Sequence, residues 1–359
     1  MVRVLIVIPA LDYCNGITSY AMNYYRKLDK TKIKMDFAVH YNLESNYKQE
    51  IEADGNNVYY MGNYSIQSML GLKRRLKKIF MDNKYDIIHC HILNVAYFYF
   101  SVARKCNIPV RILHSHATKN SDSFLKNIRN IFFKKMALKY TTDRFACSKL
   151  AGDYLFKRDY EVITNAIDYK KFAYSLENSN YLRDKYQLKE STIVFGLIGR
   201  FTPQKNIFFA LEIAKKLIDV DNICFFICGD GKQKRDILKF VTNNNLKNVI
   251  LVDSNPDIYK YYSLFNCLLL PSLFEGLPVT GVEAQVAGCD VFCSNTITKE
   301  LNFSGNCKYL SIDNVEFWVD EILKYKPHRN LCINDSFNID IQAQKLENKY
   351  LTMIDKEGF

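Results

Sequence analysis

Short apolar runs rich in β-branched residues recur along this chain, each followed by a stretch whose apolar positions keep helical spacing. Strands covered on both faces read as such near-continuous runs, and strands that alternate with helices pair in parallel. The runs come in two series. The first occupies 2–9, 35–41, 57–61, 86–91, 110–116 and 143–148 and closes near Val162 and Ile163; the second occupies 192–199, 223–229, 248–253, 266–271 and 290–294. Between them, 168–190 is polar and reads as a connection. The expected class is therefore α/β, with two doubly wound parallel sheets facing each other across a cleft. The domains would cover 1–167 and 168–340. A terminal helix over 341–359, its apolar stripe running through Ile339, Ala343, Leu346, Tyr350 and Leu351, would pack back on the first. A length of 359 residues, 48% of them hydrophobic, suffices for two cores.

In doubly wound sheets ligands sit beyond the carboxyl ends of the strands, so the turns there are where chemistry is sought. The run Leu269-Leu270-Pro271-Ser272 leads into Glu275-Gly276-Leu277-Pro278-Val279 and then Val282-Glu283-Ala284-Gln285. Pro278 fits a first helical turn, where its missing N–H costs nothing. The free N–H groups of that helix end can hold a phosphate. Glu275 lies on the approach and Glu283 further into the helix, so both carboxylates line one elongated pocket and can accept hydrogen bonds from sugar hydroxyls. On spacing alone they fit two surface charges equally well, and the turn between them favours the pocket.

A second turn, Gly199-Arg200-Phe201-Thr202-Pro203-Gln204-Lys205-Asn206, offers two cations after a strand. Arg is a bidentate phosphate partner and Lys a point charge, so together they suit a diphosphate leaving group without a metal. After the first strand, Asp12 to Ser19 includes Asn15 and Gly16 but lacks the further glycines of a dinucleotide fingerprint. Histidines end two strands of the first series, His89 and His91 in one, His114 and His116 in the other. Each pair is expected to split across opposite strand faces, which argues against a metal centre. Each ring alone equally fits a hydrogen-bonded core histidine.

The segment from Glu275 to Glu283 resembles the EX7E signature of the retaining glycosyltransferases of family 4. The flanking LLPS, EGLP and VEAQ are similar to that family's wording, as is the GR-x(4)-KN of Gly199 to Asn206. Val162-Ile163-Thr164-Asn165-Ala166-Ile167-Asp168 resembles its V-I-P-N-G-[IV]-D, with Thr164 and Ala166 in place of Pro and Gly. The family usually has two glycines where this chain has Asn15-Gly16, and often proline where it has Asp290. The resemblance implies a GT-B fold of two Rossmann-like domains, the first on the acceptor side and the second holding a nucleotide sugar. By it Glu275 contacts donor-sugar hydroxyls and Glu283 the ribose, Arg200 and Lys205 bind the diphosphate, and His114 reaches the sugar's pocket. Gly16, Gly199, Gly276, Leu277, Pro278 and Val279 complete the donor set, while His91, His116 and Asn15 are acceptor-side candidates. Glu275, Arg200, Lys205 and His114 are the catalytic candidates, with no metal and no cofactor.

The implied reaction is retaining transfer of a hexose or N-acetylhexosamine from a UDP-sugar, or another nucleotide sugar, to a glycan or polyprenyl-diphosphate-linked acceptor. Bacterial capsule and exopolysaccharide enzymes resemble it in this. Charge adds a surface: residues 1–180 hold 28 Lys and Arg against 16 Asp and Glu, a balance of +12, and the rest hold 21 against 22, a balance of −1. The segments 71–80 and 124–140 set Leu72, Leu76, Ile79 and Phe80, and Phe124, Leu125, Ile128, Phe132 and Met136, beside clustered Lys and Arg. Such helices suit an anionic membrane, though packing of their apolar faces on the sheet accounts for the pattern as well. The scattered cysteines, without a CxxC pair, read as reduced thiols. No apolar stretch is long enough to span a bilayer, and the first residues lack the features of a secretory leader, so a cytoplasmic protein, peripheral on the inner membrane face, is expected. Alternatives are a nucleotide-sugar epimerase or phosphorylase of the same fold and, more remotely, a nucleic-acid binder, for which no motif is present.

Overall fold

The structure, a computed structural model, describes residues 1–12, 15–41, 45–63, 71–116 and 124–356, the side chains of 124–130 and 356 excepted. Tyr13 and Cys14 of the first turn, and the side chains of Phe124, Leu125 and Ile128, lie outside the described residues. The chain divides into two units, Met1–Ala166 with Ile339–Phe359, and Ile167–Asn338.

The first unit alternates β1 (Val2–Ile8), α1 (Gly16–Lys27), β2 (Ile33–Val39), α2 (Asn46–Ala53), β3 (Val58–Tyr60), α3 (Leu72–Asn83), β4 (Ile87–Cys90) and α4 (Leu93–Lys105). It continues through β5 (Val110–Ser115), α5 (Phe124–Leu138), β6 (Asp143–Ala146), α6 (Lys149–Leu155) and β7 (Glu161–Val162). All seven strands pair in parallel in the order β3-β2-β1-β4-β5-β6-β7. β1 shows why its run is apolar throughout. Val2, Val4, Ile6 and Ile8 pack into one core with α1, while Leu5 and Val7 pack into the opposite core with α3 and α4. Each such fully buried side chain contributes about 1.5–3 kcal/mol.

The second unit begins with α7 (Tyr169–Phe172) and α8 (Leu176–Lys185), so the polar stretch expected as a connection is instead two helices. Asp168 and Ser175 cap them, each accepting backbone N–H groups. Tyr186, just past α8, hydrogen-bonds Tyr261 at 2.7 Å, and Ser175 N donates to Ser263 Oγ at 3.0 Å. The polar composition reflects one exposed face, not a linker. There follow β8 (Ile193–Ile198), α9 (Ile207–Lys216), β9 (Ile223–Gly229), α10 (Lys234–Asn243), β10 (Val249–Asp253), α11 (Tyr261–Leu264), β11 (Cys267–Leu270), α12 (Val279–Val286), β12 (Asp290–Ser294), β13 (Cys307–Leu310) and α13 (Val315–Leu323). Six parallel strands run β10-β9-β8-β11-β12-β13. β13 is an edge strand with every residue partly exposed or worse, and its Cys-Lys-Tyr-Leu carries no apolar run to announce it.

Helix α14 (Ile339–Lys356) returns to the first unit. Ile339, Ala343, Leu346, Tyr350 and Met353 join the core of α1 and β1. Buried Glu347 accepts Asp29 N at 2.9 Å and pairs with Lys32 Nζ at 2.9 Å, while Lys27 pairs with Asp340 at 2.8 Å. On α3, Leu72, Leu76 and Phe80 are buried and Lys73, Arg74, Arg75, Lys77 and Lys78 are exposed, so the apolar face is spent on the core. Among the described residues no helix is long and apolar enough to cross a membrane.

Candidate active site

The second sheet reverses its order between β8 and β11, so the loops leaving these neighbours open side by side at the carboxyl edge. The β8 loop passes Gly199, Arg200 and Phe201 into one 3-10 turn, Pro203–Lys205. The β9 loop guides it: Phe201 N donates to Asp230 O at 2.8 Å and Gln233 N to Phe201 O at 3.1 Å. The approach is close enough that a Cβ on Gly231, whose φ is +152°, would stand 2.7 Å from Phe201 O. On the other side Leu273 N donates to Gln204 O at 2.9 Å, Gln204 Nε2 to Phe274 O at 3.0 Å and Asn206 Nδ2 to Pro271 O at 3.2 Å.

This lacing brings Lys205 Nζ to 2.7 Å from Glu275 Oε1, with the two side chains only 17% and 12% exposed. The lysine stem crosses Gly199, 3.2 Å from where a Cβ would be. Arg200 is exposed and forms no ion pair with either glutamate among the described residues. Gly276, Leu277, Pro278 and Val279 are buried along the approach to α12.

Pro278 stands one position earlier than expected, as the cap residue of α12, with φ −71° and ψ 113°. Its carbonyl accepts from Gly281 N and Val282 N, and no side chain caps the helix. The remaining N–H groups and the positive end of the peptide dipoles thus stay available to an anion. Glu283, one turn in, is buried and accepts the Tyr262 hydroxyl at 2.5 Å. Burial pushes its carboxyl up to about 7, against the opposing pull of the Tyr262 hydrogen bond and the charges of Lys171 and Lys205. Lys205 therefore acts on both carboxylates. Gln285 anchors the helix from behind, its Nε2 donating to Gly281 O at 3.0 Å and Leu301 O at 2.8 Å.

In the first unit the order reverses between β1 and β4. After β1, Asn15 is buried and caps α1, its Oδ1 accepting Ile17 N at 3.1 Å, and exposed Gly16 opens the helix. At the ends of β4 and β5 stand the histidines, all on one side. His89 and His91 rings lie 4.3 Å apart face to face, as do His114 and His116. The expectation that each pair splits across the strand is corrected: side chains two residues apart share a strand face, because the pleat repeats every two residues. His89 Nε2 and His114 Nδ1 are 3.0 Å apart, and His91 Nδ1 and His116 Nε2 2.8 Å. Tyr20 covers three of the rings at 5.0–5.4 Å, and Phe145 meets His89 and His114 edge-on.

Burial drives His89 and His116 down to about 3 and holds His91 and His114 far below the usual imidazole range, so the array is neutral near pH 7. His89, His91 and His114 each offer a nitrogen within 4.8 Å of the others, the neutral ligand set that a transition metal takes. The expectation that histidine placement argues against a metal therefore loses its premise.

Tyr262, Lys171 and Tyr350 were not singled out from the sequence as site residues. Tyr350 showed only as one apolar position in a helical stripe, and a phenol's partner has no sequence signature. Asp290, where the family often has proline, is buried, accepts the Tyr325 hydroxyl at 2.8 Å and lies 3.2 Å from His328.

Two family models match the chain in succession, Glycosyltransferase Family 4 over residues 14–171 and Glycosyl transferases group 1 over 178–326. EpsF of Bacillus subtilis strain 168, which carries a glycosyltransferase name, is 27% identical over 335 residues, 90% of this chain and 87% of its own. The UDP-Gal:alpha-D-GlcNAc-diphosphoundecaprenol alpha-1,3-galactosyltransferase of Escherichia coli is 26% identical over 321 residues, 80% of each chain. HepE of Anabaena, solved in complex with UDP-glucose, matches the fold with a TM-score of 0.76 at 16% identity, over 99% of this chain and 98% of its own. With two doubly wound parallel units and both family models in order, the chain belongs to the GT-B glycosyltransferases, its first part matching family 4 and its second group 1.

Proposed function

We propose that the chain moves a hexose or N-acetylhexosamine from a UDP-sugar to a glycan or polyprenyl-diphosphate-linked acceptor in surface polysaccharide synthesis, retaining the anomeric configuration and needing no metal. The observation that carries this reading is the Lys205–Glu275 pair beside Glu283 at the start of α12. As the sugar–phosphate bond breaks, negative charge grows on the departing diphosphate. Lys205, oriented and partly shielded from water, the open N–H end of α12 and the exposed Arg200 are the groups that would meet it. Glu275 accepts hydrogen bonds from sugar hydroxyls, and Glu283 from the ribose.

Retention has two routes, a covalent glycosyl carboxylate or attack on the face the leaving group vacates. Glu275 is engaged by Lys205 and Glu283 by Tyr262, which lowers the nucleophilicity of both and favours the second route. The leaving phosphate oxygen then takes the acceptor's proton. The UDP in the HepE complex and the UDP-galactose donor and undecaprenyl-diphosphate acceptor named for the E. coli relative support the donor and acceptor classes. Peripheral attachment at the inner membrane face rests on charge. The exposed cations of α3 are each worth about 1 kcal/mol near an acidic lipid surface, and Ile131 and Phe132 of α5 are each 60% exposed.

A panel of UDP-, ADP-, GDP- and dTDP-sugars tests the reading through thermal stabilisation, since a ligand of the native state alone raises the melting temperature. A UDP-sugar is expected to stabilise most. The anomeric coupling constant of the product, compared with the donor's, decides retention. Absence of stabilisation by every nucleotide sugar would remove the donor assignment, and an inverted product the mechanism.

A further inference from the structure

The histidine array contains a directional feature that its metal-like composition conceals. The ring planes of His89 and His114 differ by 6°, their centroids are 5.2 Å apart and their facing nitrogens 3.0 Å. Rings in such an arrangement meet edge to edge, the lone pair of one aimed along the N–H of the other. His91 and His116 form a similar pair with the rings tilted by 36°, centroids at 5.0 Å and nitrogens at 2.8 Å. The array is thus two proton-sharing pairs laid face to face. Nitrogens that converge on an ion would instead direct their lone pairs at one common point.

The first pair extends to a third group. Tyr350 Oη lies 2.6 Å from His89 Nδ1, all three side chains are at most 2% exposed, and the hydroxyl has no other hydrogen-bond partner among the described residues. A buried hydroxyl proton given to nothing costs about 1–3 kcal/mol. Donation from Tyr350 to His89 Nδ1 puts the single ring proton of His89 on Nε2, where it is donated to His114 Nδ1. That leaves the proton of His114 on its own Nε2. The reverse order orphans the hydroxyl proton. His114 Nε2 is itself buried and has no hydrogen-bond partner among the described residues.

We propose that Tyr350, on the returning helix α14, is a positioning residue that acts through His89 to lock His114 as the neutral Nε2–H tautomer, a donor held ready for a ligand oxygen. The tautomer assignment stands on the first unit alone; its use toward a hydroxyl or phosphate oxygen of a nucleotide sugar rests on the proposed function. Tyr350 touches neither, which separates its role from that of a contact residue.

Two-bond proton–nitrogen correlation spectra of uniformly 15N-labelled, full-length protein near neutral pH read each tautomer directly. Pyrrole-type Nε2 and pyridine-type Nδ1 are expected for both His89 and His114. A pyrrole-type Nδ1 on His114 overturns the proposal, and this measurement needs no variant. In Tyr350→Phe both rings are expected to show mixed tautomers, and kcat for transfer to fall roughly tenfold, the equivalent of one hydrogen bond, with KM little changed. Unaltered tautomers with unaltered kcat overturn it too. So does stoichiometric zinc in the purified protein that is lost in His89→Ala. A chain that accepts no nucleotide sugar would sink the functional reading and leave the spectra to decide the tautomer separately.

Discussion

The histidine array of the first unit and the acid–lysine site of the second occupy the same place in two sheets of the same kind, the carboxyl edge where strand order reverses. They solve burial in opposite ways. The array is so enclosed that each imidazole stays uncharged and shares its proton with a neighbour. Lys205 and Glu275 keep part of their surface in water and are 2.7 Å apart, so each supplies the other's counter-charge. Glu283 stands between these cases, a carboxyl raised toward neutrality by enclosure but drawn back by a phenol and two lysines. Topology sets where a site can form; the degree of enclosure decides whether it works with charge or with hydrogen bonds.

Acid should separate the two most strongly. Imidazole values lowered by folding mean that the unfolded chain binds more protons, so stability is lost as pH falls below about 6.5 toward the folded values near 3. Between pH 7 and 5 the loss reaches about 2 kcal/mol for each imidazole kept neutral. Calorimetry should show it, and a flat profile would break the contrast. Lys205→Ala or Glu275→Ala should lower transfer by about 100- to 1,000-fold with unchanged circular dichroism; near-normal turnover in both would dissolve the charged half of the comparison.

Glu283 should respond with the opposite sign. A carboxyl raised from 4.5 to about 7 gives the folded chain the extra proton, so its contribution falls as pH rises through that window. Glu283→Gln should stabilise the unliganded protein at pH 8 by about 2 kcal/mol while weakening UDP binding, as paired melting curves and calorimetric titration would reveal. A destabilised variant would mean the carboxylate is well solvated. The smallest effect lies on α3, where each cation removed, Lys77→Gln for example, should cost about 1 kcal/mol of binding to acidic vesicles and leave neutral vesicles unaffected.

Strands buried on two faces were legible because enclosure leaves no polar positions, as β1 and β9 illustrate. β13 escaped because an edge strand needs no such run, and α8 because a half-exposed helix of low apolar content resembles a loop. The turns holding Lys205 and Glu275 could be named from their wording, yet their meeting depends on the Gln204 and Asn206 bonds, which are long-range. The histidine pairs fell to a misapplied strand period. Tyr262 and Tyr350 meet their partners across 21 and 261 residues, separations at which sequence carries no distance.

Helix α14 closes the first unit only after residues 167–338 have been made. At 5–20 residues per second, roughly ten to forty seconds pass on the ribosome between completion of β7 and emergence of the helix that covers Tyr20, Tyr24 and β1. During that interval the nascent first unit has an uncovered greasy flank and an imidazole chain without its phenol. Chaperone engagement would be expected there, and a chain cut short before Tyr350 would expose the same flank to proteolysis.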